Sequence, residues 1–183
     1  MRKFTLHSII CISIFSCTTA GNGDHTQNGN EDFQTADTFL NAFYSFDADS
    51  LRNVLADADE TAESILFYQG WAEGGNYEVL KRHDCFSAND SVIICPVTVR
   101  DDLIQALELE MHVTDSFHIT FANGSIASIE TSSNDPPLFH EARQWVRENR
   151  SELTEGPCGG GTQHPGDCCR AVVQGFKEYM AER

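Results

Sequence analysis

The stretch SFHITFANGSIASIE, residues 116–130, limits what this chain can fold into more than any other. Apolar and polar residues alternate on both sides of Asn123-Gly124, a dipeptide that two-residue hairpin turns favour because both central positions take positive φ. Two antiparallel strands follow from it. On the first, Phe117, Ile119 and Phe121 share one face, and Ser116, His118 and Thr120 share the other. A second hairpin is expected in CFSANDSVIIC, residues 85–95, where Asn89-Asp90-Ser91 is the turn signal between strands read at 77–88 and 91–99. Pairing around that turn sets Ala88 opposite Val92 and Cys85 opposite Cys95. Facing Cβ atoms lie ~4.5–5.5 Å apart, so a Cys85–Cys95 disulfide is predicted.

Upstream the periodicity is helical. Phe33, Ala36, Phe39, Leu40, Phe43 and Tyr44 recur at the spacing of one helix face. Asp47 or Asp49 can cap a short second helix carrying Leu51, Val54 and Leu55. A third is predicted over residues 61–73, with Ile65, Leu66, Tyr68 and Trp71, and is stopped by Gly74-Gly75. DDLIQAL opens another short helix at Asp101 or Asp102, and the period-two pattern of LELEMHVT, residues 107–114, predicts extended chain after it. Pro136-Pro137 precedes a helix with Leu138, Ala142, Trp145 and Val146. A last helix from about Cys168 carries Val172, Val173, Phe176 and Tyr179, with Asp167 as its cap. Helices followed by a run of antiparallel strands define an α+β class, with helices laid on one sheet face.

The N-terminus is built for export. Arg2 and Lys3 precede a largely apolar run over residues 4–15, which matches a signal-peptide core and falls short of the ~20 residues a spanning helix needs. Two processing routes are open. One is cleavage after Ala20, with Thr18 and Ala20 as the small residues, leading to secretion. The other rests on Ile14-Phe15-Ser16-Cys17, which resembles a bacterial lipobox whose cysteine is diacylated; two acyl chains anchor firmly where one is marginal. Thr18 after that cysteine, in place of Asp, points to an outer-membrane lipoprotein facing the periplasm. The expected organisation is a signal peptide at 1–16, a lipidated Cys17 with a flexible tether at 17–32, one domain at 33–150, and a Cys/Gly-rich loop with a C-terminal helix at 151–183. Over residues 18–32 the only apolar side chain is that of Ala20, which is why a tether is expected there.

Charge and cysteine content exclude some functions. The chain has 28 acidic against 12 basic residues, a formal charge of −16, and such a surface repels nucleic-acid phosphates. In CGGGTQHPGDCC, residues 158–169, three cysteines and His164 fall close together, yet no C-x-x-C spacing occurs, and export favours a disulfide over a metal. No metal and no cofactor are expected. Cys158 with Cys168 is the pairing offered for a second bridge; which of Cys158, Cys168 and Cys169 stays out, free or paired between chains, is left open by the residues.

Three segments, TFLNAFYSFDADSLRNVLA, CPVTVRDDLIQALEL and DSFHITFANGSIASIE, resemble exported members of the nuclear transport factor 2-like, SnoaL-like superfamily over roughly residues 33–149. The resemblance implies a cone: a strongly curved antiparallel sheet wrapped around the first long helix, an apolar cavity inside, and frequent homodimerisation on the outer sheet face. Phe39, Phe43, Tyr68, Trp71, Tyr77, Phe117, Ile119 and Phe121 are then the candidates to line a pocket for a small apolar ligand. Enzymes of this fold (steroid isomerases, polyketide cyclases, dehydratases) use an inward Asp or His, for which this chain offers His83, Asp84, His112, Asp115 and His118. Alternation turns His118 and His112 outward, and Asp115 reads as a turn residue, so no catalytic residue is assigned. The expected function is non-enzymatic ligand binding at the envelope. The alternatives are an isomerase- or cyclase-type enzyme with a pocket His or Asp, or a dimeric interaction module.

Overall fold

The computed structural model describes residues 25–58, 60–159 and 164–183. The N-terminal export segment, Cys17 and the first part of the expected tether lie outside these. Helix α1, His25–Phe43, presents Ala36, Phe39, Leu40, Ala42 and Phe43 to the interior. It begins well before the apolar repeat, so residues 25–32 are its first two turns and not a tether. A helix can run on beyond its core contact without apolar residues, so their absence says little about backbone conformation there. Helix α2, Ala48–Val54, is capped by Asp47, whose carboxylate accepts from the Asp49 amide at 3.1 Å. Helix α3 spans Ala62–Gly74.

The strands β1 (Glu78–Arg82), β2 (Phe86–Asn89), β3 (Val92–Arg100), β4 (Val113–Ala122) and β5 (Ser125–Ser133) form a curved, unclosed antiparallel sheet. Its order is β1-β3-β4-β5, with β2 also on β3. The strand expected over residues 77–88 is therefore two strands, broken at residues 83–85. Phe86 faces Ile94 and Ser87 faces Ile93, the expected register, but a bulge then makes Asn89, not Ala88, the partner of Val92. Cys85 and Cys95 are disulfide-bonded. At the β4–β5 turn Asn123 has φ 54° and Gly124 φ 79°, the positive pair that this two-residue turn requires. Along β4 every second residue from Val113 to Phe121 is buried, so one whole face of the strand is core.

Between β3 and β4 lies α4, Asp102–Ala106, capped by Asp101. The extended reading of residues 107–114 holds only from Val113. Glu108 takes φ 54° as the chain leaves the helix, and Leu107 turns into the core. Helix α5 is Pro137–Asn149, followed by a short α6, Ser151–Thr154, which carries no apolar repeat of its own. Helix α7, Pro165–Glu182, starts before the expected Cys168 because Pro165 occupies a first-turn position, where the missing N–H costs nothing. Asp167 is thus not the cap; it lies in the first turn and pairs with Arg170 at 2.6 Å. A second disulfide joins Cys158 to Cys168, and Cys169 is a buried free thiol. Two disulfides fit an oxidising, non-cytoplasmic compartment. Among the described residues no helix is long and apolar enough to cross a membrane.

Helices α1 and α3 pack against the sheet. Phe39 and Phe43 stack edge-on to Phe117 of β4 at 5.3 and 4.9 Å, seating α1 on the strands. Buried Gln69 of α3 donates to the carbonyls of Ala42 and Phe43, both at 3.0 Å, which satisfies the last turn of α1 and locks α3 beside it. Helix α7 then packs on α3, α4 and α5. The close approach of α3 and α7 is made by glycine: a Cβ on Gly74 would overlap the Gly166 backbone, and one on Gly70 would strike the Pro165 ring. Gly74→Ala should therefore lower stability by roughly 1–3 kcal/mol in urea unfolding. Gly156→Ala, where nothing lies within 4 Å, should leave it nearly unchanged. Equal midpoints for the two variants would contradict this packing.

Candidate functional site

A cleft of about 410 Å³ opens where α3, the end of β5 and α5 meet over the start of β4. Its polar centre is Asp115. The residue pairs with Ser133 of β5 on one side and Val97 of β3 on the other, and its side chain shares the inward face with Val113 and Phe117. Only 2 % of Asp115 is exposed, although it lines the cleft. Its reading as a turn residue is thus corrected. Asp115 lies within a ten-residue strand, and its two-residue spacing from Phe117 commits it to the core face.

The surroundings of this carboxyl are aromatic. Tyr68 of α3 lines the cleft beside it, and Tyr77, just before β1, stands edge-on to Tyr68 at 6.4 Å. One Asp115 oxygen, Oδ2, is buried without a hydrogen-bond partner, and so is the hydroxyl of Tyr44. Loss of hydration is the main reason the Asp115 pKa rises, to about 7; the nearby Tyr68 hydroxyl opposes this and the charges of Asp135 and Asp101 add to it. Burial and the charge of Asp115 in turn push Tyr44 and Tyr77 up, and burial and the nearby Tyr77 do so for Tyr68, so all three phenols stay protonated donors at neutral pH. Asp101 is raised to about 6, again chiefly by burial, although its Oδ1 accepts from the Ile104 amide at 2.9 Å. Burial also pushes the Cys169 thiol up to about 12, which leaves it inert at neutral pH.

The eight aromatic and aliphatic pocket candidates divide. Tyr68, Trp71 and Tyr77 line the cleft with Asp115. Phe39, Phe43, Phe117 and Ile119 are fully buried core residues behind it, ring against ring, and do not line it. Phe121 belongs instead to a depression at the hairpin end, beside Glu31 and Asp32. The interior between Phe39, Phe43 and Phe117 is thus filled by side chains, and of these eight candidates only Tyr68, Trp71 and Tyr77 reach the space beside Asp115. Among the other acid–base candidates, His118 is on the outer face with Nε2 2.9 Å from the Ser132 hydroxyl. His83 contacts the Thr98 hydroxyl at 3.0 Å, while Asp84 and His112 are exposed. Sequence reasoning passed over Asp135, Phe139 and Arg143 of the cleft wall and its Thr131–Ser133 edge; no local pattern joins them to Tyr68. Among the described residues no group of three His, Cys, Asp or Glu side chains is placed to hold a metal.

Compared with protein-family models, curated proteins and solved structures, the chain finds no match.

The raised carboxyls set a pH dependence. Asp115 and Asp101 hold protons in the fold up to about pH 7 and 6, whereas an unfolded aspartate ionises near pH 4. Their contribution is therefore most favourable below about pH 4 and is lost as pH rises through the folded values. Between pH 5 and 8 the wild type should lose on the order of 2–3 kcal/mol more unfolding free energy than Asp115→Asn. Parallel pH profiles of urea unfolding for the two proteins would contradict the assignment.

Proposed function

We propose that this is an exported domain of nuclear transport factor 2-like, SnoaL-like type, held at the bacterial envelope through a lipid on Cys17, whose cleft takes a small ligand and exchanges a proton with it at Asp115. The observation that carries the reading is the unpartnered Oδ2 of a buried carboxyl lining an open cleft. A desolvated acid without a partner costs stability, a cost that a ligand offering a polar atom would relieve. Asp115 tips the balance from passive carriage toward the isomerase- or cyclase-type alternative, because a pocket carboxyl is what separates the two.

The chemistry follows from the pKa order. At neutral pH Asp115 is divided between base and acid, the condition under which one group can both take and return a proton. Ionised Asp115 removes a proton from carbon next to a ligand carbonyl; the C–H electron pair becomes the enolate C=C bond and the carbonyl π pair moves onto oxygen. The phenol of Tyr77 donates a hydrogen bond to that developing oxyanion, while Tyr68 stands beside the carboxyl. Asp115 then returns the proton to carbon.

Deuterium uptake by enolisable ketones in D2O, followed by NMR, tests this. The wild type should exchange faster than buffer, with a rate that rises through pH 7, and Asp115→Asn should slow it ~100-fold or more. Exchange no faster than buffer, or equal rates in the two proteins, would reduce the cleft to a binding site. Separately, Cys17→Ser should move the protein from the membrane fraction to the soluble one; a chain that stays with the membrane would contradict the lipid anchor.

A further inference from the structure

Next to the Asp115 cleft, and sharing Trp71, Arg143 and the Cys158–Cys168 bridge with it, lies a second, smaller pocket of about 290 Å³. Its floor is apolar: Trp71 of α3, Val146 of α5, Val172 of α7 and the disulfide itself. Its rim carries Arg143 and Arg147, one helical turn apart on α5. Acidic residues outnumber basic ones by more than two to one, and Arg52, Arg82, Arg100, Arg150 and Arg170 each hold a carboxylate. Among the described residues neither Arg143 nor Arg147 makes an ion pair. What sets the two apart from the other described cations without an ion pair (Lys81, Lys177 and Arg183) is that both line one apolar pocket.

Two guanidiniums at (i, i+4) repel one another, so the pair lowers helix stability unless an anion lies between them. Arg143 is held over the Trp71 ring at 5.8 Å, which aims it at the pocket mouth. Glu155 also lines the rim, but it forms no ion pair with either arginine. An apolar floor beneath two unneutralised guanidiniums is the lining that a small amphipathic anion requires, and the volume is at the low end of small-molecule sites, ~300 Å³.

We infer that this pocket binds a small carboxylate amphiphile, its head on Arg143 and Arg147 and its short alkyl or aryl body over Trp71 and Val172. Trp71 and Arg143 line both spaces, but Asp115 lines only the cleft, so carboxylate binding and proton transfer can fail separately.

Titration of the purified protein with octanoate at pH 7, followed by tryptophan fluorescence and calorimetry, tests it, with octan-1-ol as the neutral probe of equal length. Octanoate should saturate a single site, and octanol should bind about tenfold more weakly or worse. The double variant Arg143→Gln/Arg147→Gln should lose about tenfold in octanoate affinity while leaving octanol unchanged, and Glu155→Gln should tighten octanoate. Arg147→Gln alone, at an exposed position, should give a smaller loss in the same direction, so the result does not depend on how the double variant folds. Asp115→Asn should bind octanoate like the wild type, which separates failure here from failure of the proton-transfer reading. Equal binding of octanoate and octanol, no saturable octanoate binding, or undiminished affinity in the double variant would each overturn the assignment.

Discussion

The contact of Phe39 and Phe43 with Phe117 holds the rest of the structure in place. Two rings one helical turn apart on α1 meet a single ring on β4, at 5.3 and 4.9 Å, and both are tilted toward edge-on geometry. That contact fixes how the long helix sits on the sheet. It also puts a dry aromatic wall two residues from Asp115 on the same strand face. Without the wall, water would reach the carboxyl, and nothing would hold its proton at neutral pH.

Behind this wall the helices are clamped in sequence. Gln69 ties α3 to the end of α1, and the Ile129 amide donates to the Thr61 hydroxyl at 3.0 Å, tying the start of α3 to β5. The glycines of α3 let α7 approach closely, and Cys158–Cys168 joins the chain after α6 to α7. The cleft is what remains between α3, β5 and α5 once those clamps are set. The disulfide lines both this cleft and the arginine-rimmed pocket, so the bridge serves as a shared wall.

Elements encoded by neighbouring residues were legible in advance. The Asn123-Gly124 hairpin, a helix cap at Asp47 or Asp49 and the Cys85–Cys95 bridge each depend on residues close in sequence, where turn and pleat geometry decide the outcome. Asp115 was not, although the signal was present. Its distance of two from Phe117 places it inward by the same alternation that placed Ile119 and Phe121, but aspartate beside Thr114 and Ser116 also has the composition of a turn. Sheet pairing outweighed local preference, as it does where both neighbouring strands are in register. The site could not be assembled from the sequence for a different reason. Tyr68, Tyr77, Asp115, Asp135 and Arg143 come from five separate segments, and only the packing of α3 and α5 over the end of the sheet unites them. The helical start of α1 was hidden too, since its first turns carry no apolar period to read.

The central claim is that this sheet and its helices keep one aspartate dry at the base of an open cleft. A ¹³C NMR titration of the Asp115 side-chain carboxyl, assigned by comparison with Asp115→Asn, tests it most directly. The account requires a midpoint near 7. A midpoint near 4, that of an ordinary hydrated aspartate, would show that water reaches the group freely and would remove the basis for the site.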